Sequence, residues 1–405
     1  MNTPDTANQV RLLVGGVEYG GWKSVRIEAG IERQARSFTL QVTDRWPGQT
    51  DVPRRVRPFD ACQVYIGADL VLTGYVDATP VKYTGKSITV GVKGRSKTAD
   101  LVDCCPMGAD VAMATASAQW SDLVGLPDIA RVIAPPARSA AQWRNQKLEE
   151  IAAALAAPYG VRVVTEVDTG RPIAEHQVQV GEKVFESIDR MMRLRHVLST
   201  DNAAGDLVFI DVGSTGRAAT AIELGVNVLT GDTELDFKEV FSEYIVKGQR
   251  AGNDDQFADD VAEEEGEALD DDGIDGGVAT TTDSRSRRRR VLVLKQTGQA
   301  DEGTCSDRAE YERANRAAKA LQTTYTVNGW RQQSGALWQP NLLVQVRDSL
   351  IGFDGEMVIA ECAWVLDATG MRTELKVGPV DGYRSKAAKA SKEKGGGASW
   401  ADVKR

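Results

Sequence analysis

Residues 25–42 read VRIEAGIERQARSFTLQV, and their apolar positions recur at every second residue: Val25, Ile27 and Ala29, then Phe38, Leu40 and Val42. A period of two sends successive side chains to opposite faces of an extended chain, so each set is the buried face of a strand. The same alternation continues at Cys62, Val64 and Ile66 and at Ile88, Val90 and Val92. Gly15-Gly16, Gly20-Gly21, Pro47-Gly48 and Thr84-Gly85 separate these runs as turns. Roughly five to seven short strands before Lys97 predict an autonomous antiparallel β-domain over residues 1–98, a small barrel or sandwich, because closing a sheet removes its exposed edges.

The pattern then changes. Leu148, Ile151, Ala152 and Leu155 share one helical face, and Pro158, which lacks the N–H needed to continue the ladder, ends that helix. A second amphipathic helix is predicted over Val184 to Leu198, with strands at Val161 to Val164 and Leu207 to Ile210. The middle of the chain therefore reads as mixed α/β, in two domains at 99–175 and 176–236. Strands return after Phe241, and residues 237–384 read as a second β-rich region, for which the family resemblance given below implies a barrel-like domain. Asp307 with Glu310 has the form of a capping box for a helix running to about Leu321. The expected fold class is thus α+β, β-rich and multidomain, with two small β-barrel-like domains flanking mixed α/β middle domains.

Charge is unevenly distributed. The chain of 405 residues has a net charge of −9, yet residues 251–284 hold thirteen acids and no base, which leaves +4 on the remainder. With the arginines Arg285 and Arg287 to Arg290 that follow, the stretch 251–290 has too little apolar area to offset the entropy of ordering it, and is expected to be a disordered insert. The tail 385–405 is basic and is expected to be disordered as well. No apolar run is long enough to cross a bilayer and the first ten residues are polar, so neither membrane insertion nor a cleaved signal is expected.

Few residues suggest chemistry. The five cysteines, Cys62, Cys104, Cys105, Cys305 and Cys362, form no C-x-x-C pair, and the two histidines, His176 and His196, are not spaced as metal ligands. His196 reads as a helix-end cation, Cys104 and Cys105 as buried thiols, and Met191 and Met192 as core. No phosphate-binding loop, dinucleotide fingerprint, zinc-protease or nucleophile-elbow motif occurs. No catalytic, cofactor or metal residues are therefore assigned. Trp330 and Trp338 lie on either side of Gly335, where they can pack across a hairpin. These two and Tyr244 are the candidate subunit-contact residues, because aromatics dominate interfaces.

Five blocks resemble one known family: Thr73-Gly74-Tyr75-Val76-Asp77; Gly94 to Asp103 (GRSKTADLVD); Gly181 to Arg195 (GEKVFESIDRMMRLR); Phe241 to Gln249 (FSEYIVKGQ); and Gly329-Trp330-Arg331 with Leu337 to Asn341. Together they are similar to the baseplate hub proteins of Mu-like contractile-tail phages, in order from about residue 10 to residue 383. The charged insert 251–290 is longer than the family pattern suggests. The resemblance implies a structural, non-enzymatic protein of the virion tail baseplate, assembled in the host cytoplasm. It implies a ring-shaped homotrimer whose two barrels per chain adapt a sixfold tail tube to a threefold central spike, with tube, spike and other baseplate proteins as partners. Weak DNA contact in the channel, through the arginine run or the basic tail, is a side expectation. The alternative is a tail-associated cell-wall hydrolase using a carboxylate pair.

Overall fold

The computed structural model describes residues 6–44, 56–83, 88–106, 142–195, 197–249, 276–284, 286, 288–299 and 302–383. The first part of the chain supplies strands β1 (Val10–Val14), β2 (Val17–Tyr19), β3 (Ser24–Gly30), β4 (Ser37–Asp44), β5 (Ala61–Ile66), β6 (Asp69–Ala78), β7 (Val81–Tyr83) and β8 (Ile88–Ser96). The middle supplies α1 (Ala99–Asp103), β9 (Gln142–Gln146), α2 (Leu148–Ala156), β10 (Val163–Thr165), β11 (Ile173–Gln177), α3 (Val184–Arg195), β12 (Leu198–Asp201) and β13 (Leu207–Ile210). The remainder supplies β14 (Ile222–Glu223), β15 (Val228–Thr233), β16 (Glu243–Gln249), β17 (Gly276–Thr282), β18 (Val291–Gln299), α4 (Glu302–Lys319), β19 (Thr323–Asn328), β20 (Leu343–Asp348), β21 (Phe353–Asp367) and β22 (Gly370–Pro379).

The alternating residues face inward as their period requires: Val25, Ile27, Ala29, Leu40, Val64 and Ile66 are completely buried. What they face was not legible in that period. Strands from both ends of the chain belong to one 14-stranded sheet, in the order β15-β19-β22-β21-β3-β4-β8-β6-β5-β1-β2, with β7, β14 and β20 attached at the side. The joint is β3 against β21, antiparallel, with Val25 opposite Leu366 and Gly30 opposite Glu361. One core cluster correspondingly takes Val25, Ile27, Phe38 and Leu40 from the first part and Tyr325, Trp330, Trp338 and Trp364 from the last. The expectation of an autonomous barrel over 1–98 is thus corrected: β3 uses its second edge to pair with β21, and no closed barrel forms among the described residues.

Strand β21 can serve several neighbours because it is fifteen residues long. Its first part pairs with β20, its second with β3, and β22 runs along its other edge. The β21·β22 register shifts between Ile359 and Glu361, and a bulge of this kind bends a strand and increases its twist. The Ile31 N–H donates to the Ala360 carbonyl at 2.8 Å beside this bend. Gly30 is required here, since an added Cβ would lie 2.8 Å from Glu361 Cγ.

The middle region forms its own layer. β10 pairs in parallel with β13, which pairs antiparallel with β12, while β9 and β11 form a separate two-stranded ladder. Leu148, Ile151, Ala152 and Leu155 of α2 pack with Val184, Ile188, Met191 and Met192 of α3, as their spacing predicts. Helix α3 ends at Arg195, and Leu198 already belongs to β12. The short strands β14 and β15 join the large sheet through β20 and β19, so the residue stretch expected to close the middle region contributes to the β-rich part.

A third unit is the sheet β17-β16-β18, packed against α4. Part of the predicted disordered insert is therefore ordered: Gly276–Thr282 pairs antiparallel with β16, which gives partners to the backbone groups on that edge. Helix α4 starts at Glu302, so Asp307 lies inside it and caps nothing. The turns Pro47-Gly48 and Thr84-Gly85, His196, residues 251–275, Arg285, Arg287 and the tail 385–405 lie outside the described residues.

Two glycines, one in each of the first two hub-like blocks, set the closest strand crossing. An added Cβ on Gly74 would lie 1.9 Å from the Arg95 carbonyl oxygen, and one on Gly94 would lie 2.3 Å from the Tyr75 carbonyl oxygen and 2.6 Å from the Phe38 ring. Only hydrogen fits at either place, and β6 and β8 must part to admit a methyl group. Gly94→Ala is expected to lower unfolding stability by about 2 to 3 kcal/mol, the cost of overpacking a dense core, read as a reduced urea midpoint with an unchanged slope.

Candidate functional site

The three residues proposed as subunit contacts lie in this chain's own core. Trp330 is 1% exposed, Trp338 2% and Tyr244 0%. Trp330 Nε1 donates to the carbonyls of Val365 and Arg372, both at 3.1 Å, and the Trp338 N–H donates to the Trp330 carbonyl at 3.0 Å. The two tryptophans lie opposite each other across the predicted connection, next to an antiparallel bridge between Arg331 and Leu337, and belong to the same core cluster. Tyr244 Oη accepts from the Phe241 N–H at 3.0 Å, and the two rings meet edge to face. All three side chains fix the interior and leave no area for a partner.

What the structure does bring together is a polar junction between the large sheet and the middle layer. Between β3 and β4 the chain turns, and Arg36 enters the joint. Its backbone N–H donates to Asp201 Oδ2 at 2.8 Å and its guanidinium meets Asp201 Oδ1 at 3.3 Å. The same guanidinium donates to the carbonyls of Val71 and Asp201. Thr200 Oγ1 donates to the Gly30 carbonyl at 2.8 Å, and Gln34 exchanges two hydrogen bonds with Ser199. Burial pushes the Asp201 carboxyl up, while Arg36 and the hydrogen bonds from Ser96 and the Arg36 backbone pull it down. Beside this polar half lies an apolar half, in which Ile31, Val208, Ile210, Val358, Ala360 and Tyr383 pack together. Arg36 and Asp201 had no signal in the sequence, since single polar residues at a strand end carry no motif.

A cleft of about 780 Å³ opens next to the junction, among the β3–β4 turn, α3 and α4. Its charges are largely paired with one another: Arg308 with Glu312 at 2.6 Å, and Arg316 with Glu239 at 2.8 Å and Glu312 at 3.1 Å. No group of three potential metal ligands occurs among the described residues. The acids Asp77 and Asp103 both bind Arg95, at 2.8 and 2.6 Å. The arginine run is partly committed as well, with Arg289 3.4 Å from Glu243 and Arg290 stacked 5.1 Å over Phe241. Cys104 is half-buried and Cys105 exposed, so the expectation that both thiols are buried is corrected; all five cysteines are free.

His176 is buried with its Nε2 2.8 Å from Ser187 Oγ, beside Trp143. Burial, reinforced by the charge of Arg190, holds its imidazole down at about 4. It is a core histidine of the middle layer.

Three family models match in chain order: Mu phage baseplate assembly protein GpP-like, N-terminal, over residues 9–96; baseplate hub protein gp44-like, second domain, over 133–211; and Mu phage baseplate assembly protein GpP, fourth domain, over 302–386. The chain is 32% identical over 398 residues to baseplate hub protein gp44 of Escherichia phage Mu, covering 97% of this chain and 93% of that protein. Among solved structures it is similar to the 43 kDa tail protein of prophage MuSo2 from Shewanella oneidensis, with TM-score 0.74 and 28% identity over 93% of this chain and 99% of that one. A tail protein from Neisseria meningitidis MC58 shares the fold, with TM-score 0.71 and 19% identity over 94% and 98% of the two chains.

Two outcomes follow from the junction and from His176. Asp201→Ala strands the Arg36 charge in a buried site, and is expected to cost about 3 kcal/mol or more in a urea titration, the range for breaking a buried pair; Arg36→Met with Asp201→Leu should lose less. For His176 the folded-state value lies below the ordinary 6.5. The unfolded chain therefore binds the proton first, and stability is lost as pH falls from about 6.5 towards about 4. His176→Phe is expected to flatten that part of the stability–pH curve.

Proposed function

This chain belongs to the baseplate hub family of Mu-like phages, structural proteins of the virion tail, and from that premise we propose that three copies form a ring joining a sixfold tail tube to a threefold central spike around the DNA passage. The observation that supports this reading is the β3·β21 joint. It holds the two β-rich ends of one chain at a fixed relation inside a single sheet. A threefold ring of such chains presents six β modules, the number a sixfold tube meets, and each chain repeats one head-to-tail contact. Strands β1 to β8, and β14, β15 and β19 to β22, supply those modules, and the layer built from α2, α3, β10, β12 and β13 accompanies them. The work of such a hub is binding and symmetry matching, without a catalytic step. Its partners are tail and baseplate proteins, the spike among them. DNA contact, where it occurs, is weak and depends on salt.

The purified protein is expected to scatter light with a mass of about 131 kDa, three times 43.8 kDa, stable over a dilution series. A chain that stays monomeric both alone and when co-expressed with tube and spike proteins would refute the ring.

A further inference from the structure

We infer that the outer face of the β17-β16-β18 sheet is a docking surface for a second copy of this chain, and that its occupant is the edge strand β15 of the neighbouring copy, with its Asp232 and the following Glu234. The inference rests on the ring reading above and gives that ring its contact.

Helix α4 covers one face of the small sheet, where Tyr244, Val246 and Ala279 pack on Cys305 and Ala309. Alternation sends Ile245, Val278, Val291 and Val293 to the other face, where Val278 is 56%, Val291 39% and Val293 57% exposed. Register places Ile245 directly beside Val293, so these residues form one apolar patch. At its rim Lys247 sits opposite Lys295, both exposed. Like charges facing across a ladder destabilise it unless an acid is supplied from outside. Among the described residues neither lysine has an ionic partner.

The complementary surface lies at the end of the large sheet. Among the described residues β15 is its terminal strand, hydrogen-bonded on one side only, by β19. Leu224 and Val226 precede it in the chain, Leu229 lies within it and Leu235 follows it, all 41 to 71% exposed. Asp232 and Glu234 are exposed next to them, and neither forms an ion pair among the described residues. Seven of the thirteen exposed large hydrophobic residues in the described part of the chain thus fall in these two patches. Among the described residues both patches stay open within one copy, so they do not cover each other. A head-to-tail ring needs two different, mutually complementary patches on every chain. One apolar patch with unpaired bases and another with unpaired acids meet that requirement, and pairing them covers an open strand edge that would otherwise invite aggregation.

The test compares the masses of the wild-type chain and four variants by light scattering, with circular dichroism as a control for folding. Val293→Glu and Leu229→Glu should each reduce the mass from three chains to one. Lys247→Glu with Lys295→Glu should raise the dissociation constant by about tenfold or more, as expected for reversed charges at an interface. Adding Asp232→Lys and Glu234→Lys to that same chain should restore assembly. A wild-type trimer whose folded variants all keep their mass would overturn this docking surface and leave the ring reading standing. A charge reversal that the compensating reversal fails to rescue would overturn the β15 occupant. A wild-type chain that is monomeric alone and also when co-expressed with tube and spike proteins would contradict the ring itself, and this contact with it.

Discussion

Strand β3 has two edges, and both are used. One pairs with β4 and the other with β21, and the single line of backbone hydrogen bonds along β3·β21, between strands at residues 24–30 and 353–367, turns two β-rich ends into one sheet with one core. Everything near that line is fitted to it. Gly30 has no side chain because Glu361 and the Ala360 carbonyl leave no space, and the register shift at Ile359 bends β21 where it leaves β20 for β3. Trp330, Trp338 and Trp364 fill the interior behind it, and side chains of that size bury on the order of 150–250 Å² each, which makes separation of the two ends expensive.

The middle layer is mounted on this sheet through a second kind of contact. Arg36 and Asp201 are buried together, with the neighbouring Thr200 and Ser199 bonded to Gly30 and Gln34. Buried ion pairs contribute modest net stability, but the loss of one partner leaves an uncompensated charge, so they specify a single arrangement strongly. The apolar group around Ile31, Val358 and Tyr383 supplies the burial that the polar half lacks. In the ring proposed above, which joins partners of different symmetry, the modules of each chain have to be fixed to one another, and these two contacts fix them.

Local periodicity was informative wherever a residue's environment is set by its own element. The alternation at Val25 to Ala29 and Phe38 to Leu40, the helical faces of α2 and α3, and the Trp330–Trp338 pair all stand as the spacing requires. Spacing within a strand does not say which strand lies beside it, so the union of β3 with β21 was invisible, and the N-terminal part read as a closed unit. Composition also misled in one place: Gly276–Thr282 is small and polar, yet β16 supplies its ladder partners and orders it. Aromatic size pointed to Trp330, Trp338 and Tyr244 as contact residues, although the same size makes them core. The blocks resembling hub proteins carried the function, and within them Gly74 and Gly94 have a physical reason for their identity.

The central claim is that the two ends of the chain are one cooperative body. Native-state hydrogen exchange resolved to single amides tests it most directly. Amides of Val25 to Ala29 and of Cys362 to Leu366 should share the slowest exchange and the same dependence on denaturant, because opening either strand exposes the common core. If the amides of β3 and its neighbours exchanged through an independent opening while β21 and β22 stayed protected, the chain would consist of separate β-domains merely in contact, which contradicts a single cooperative body.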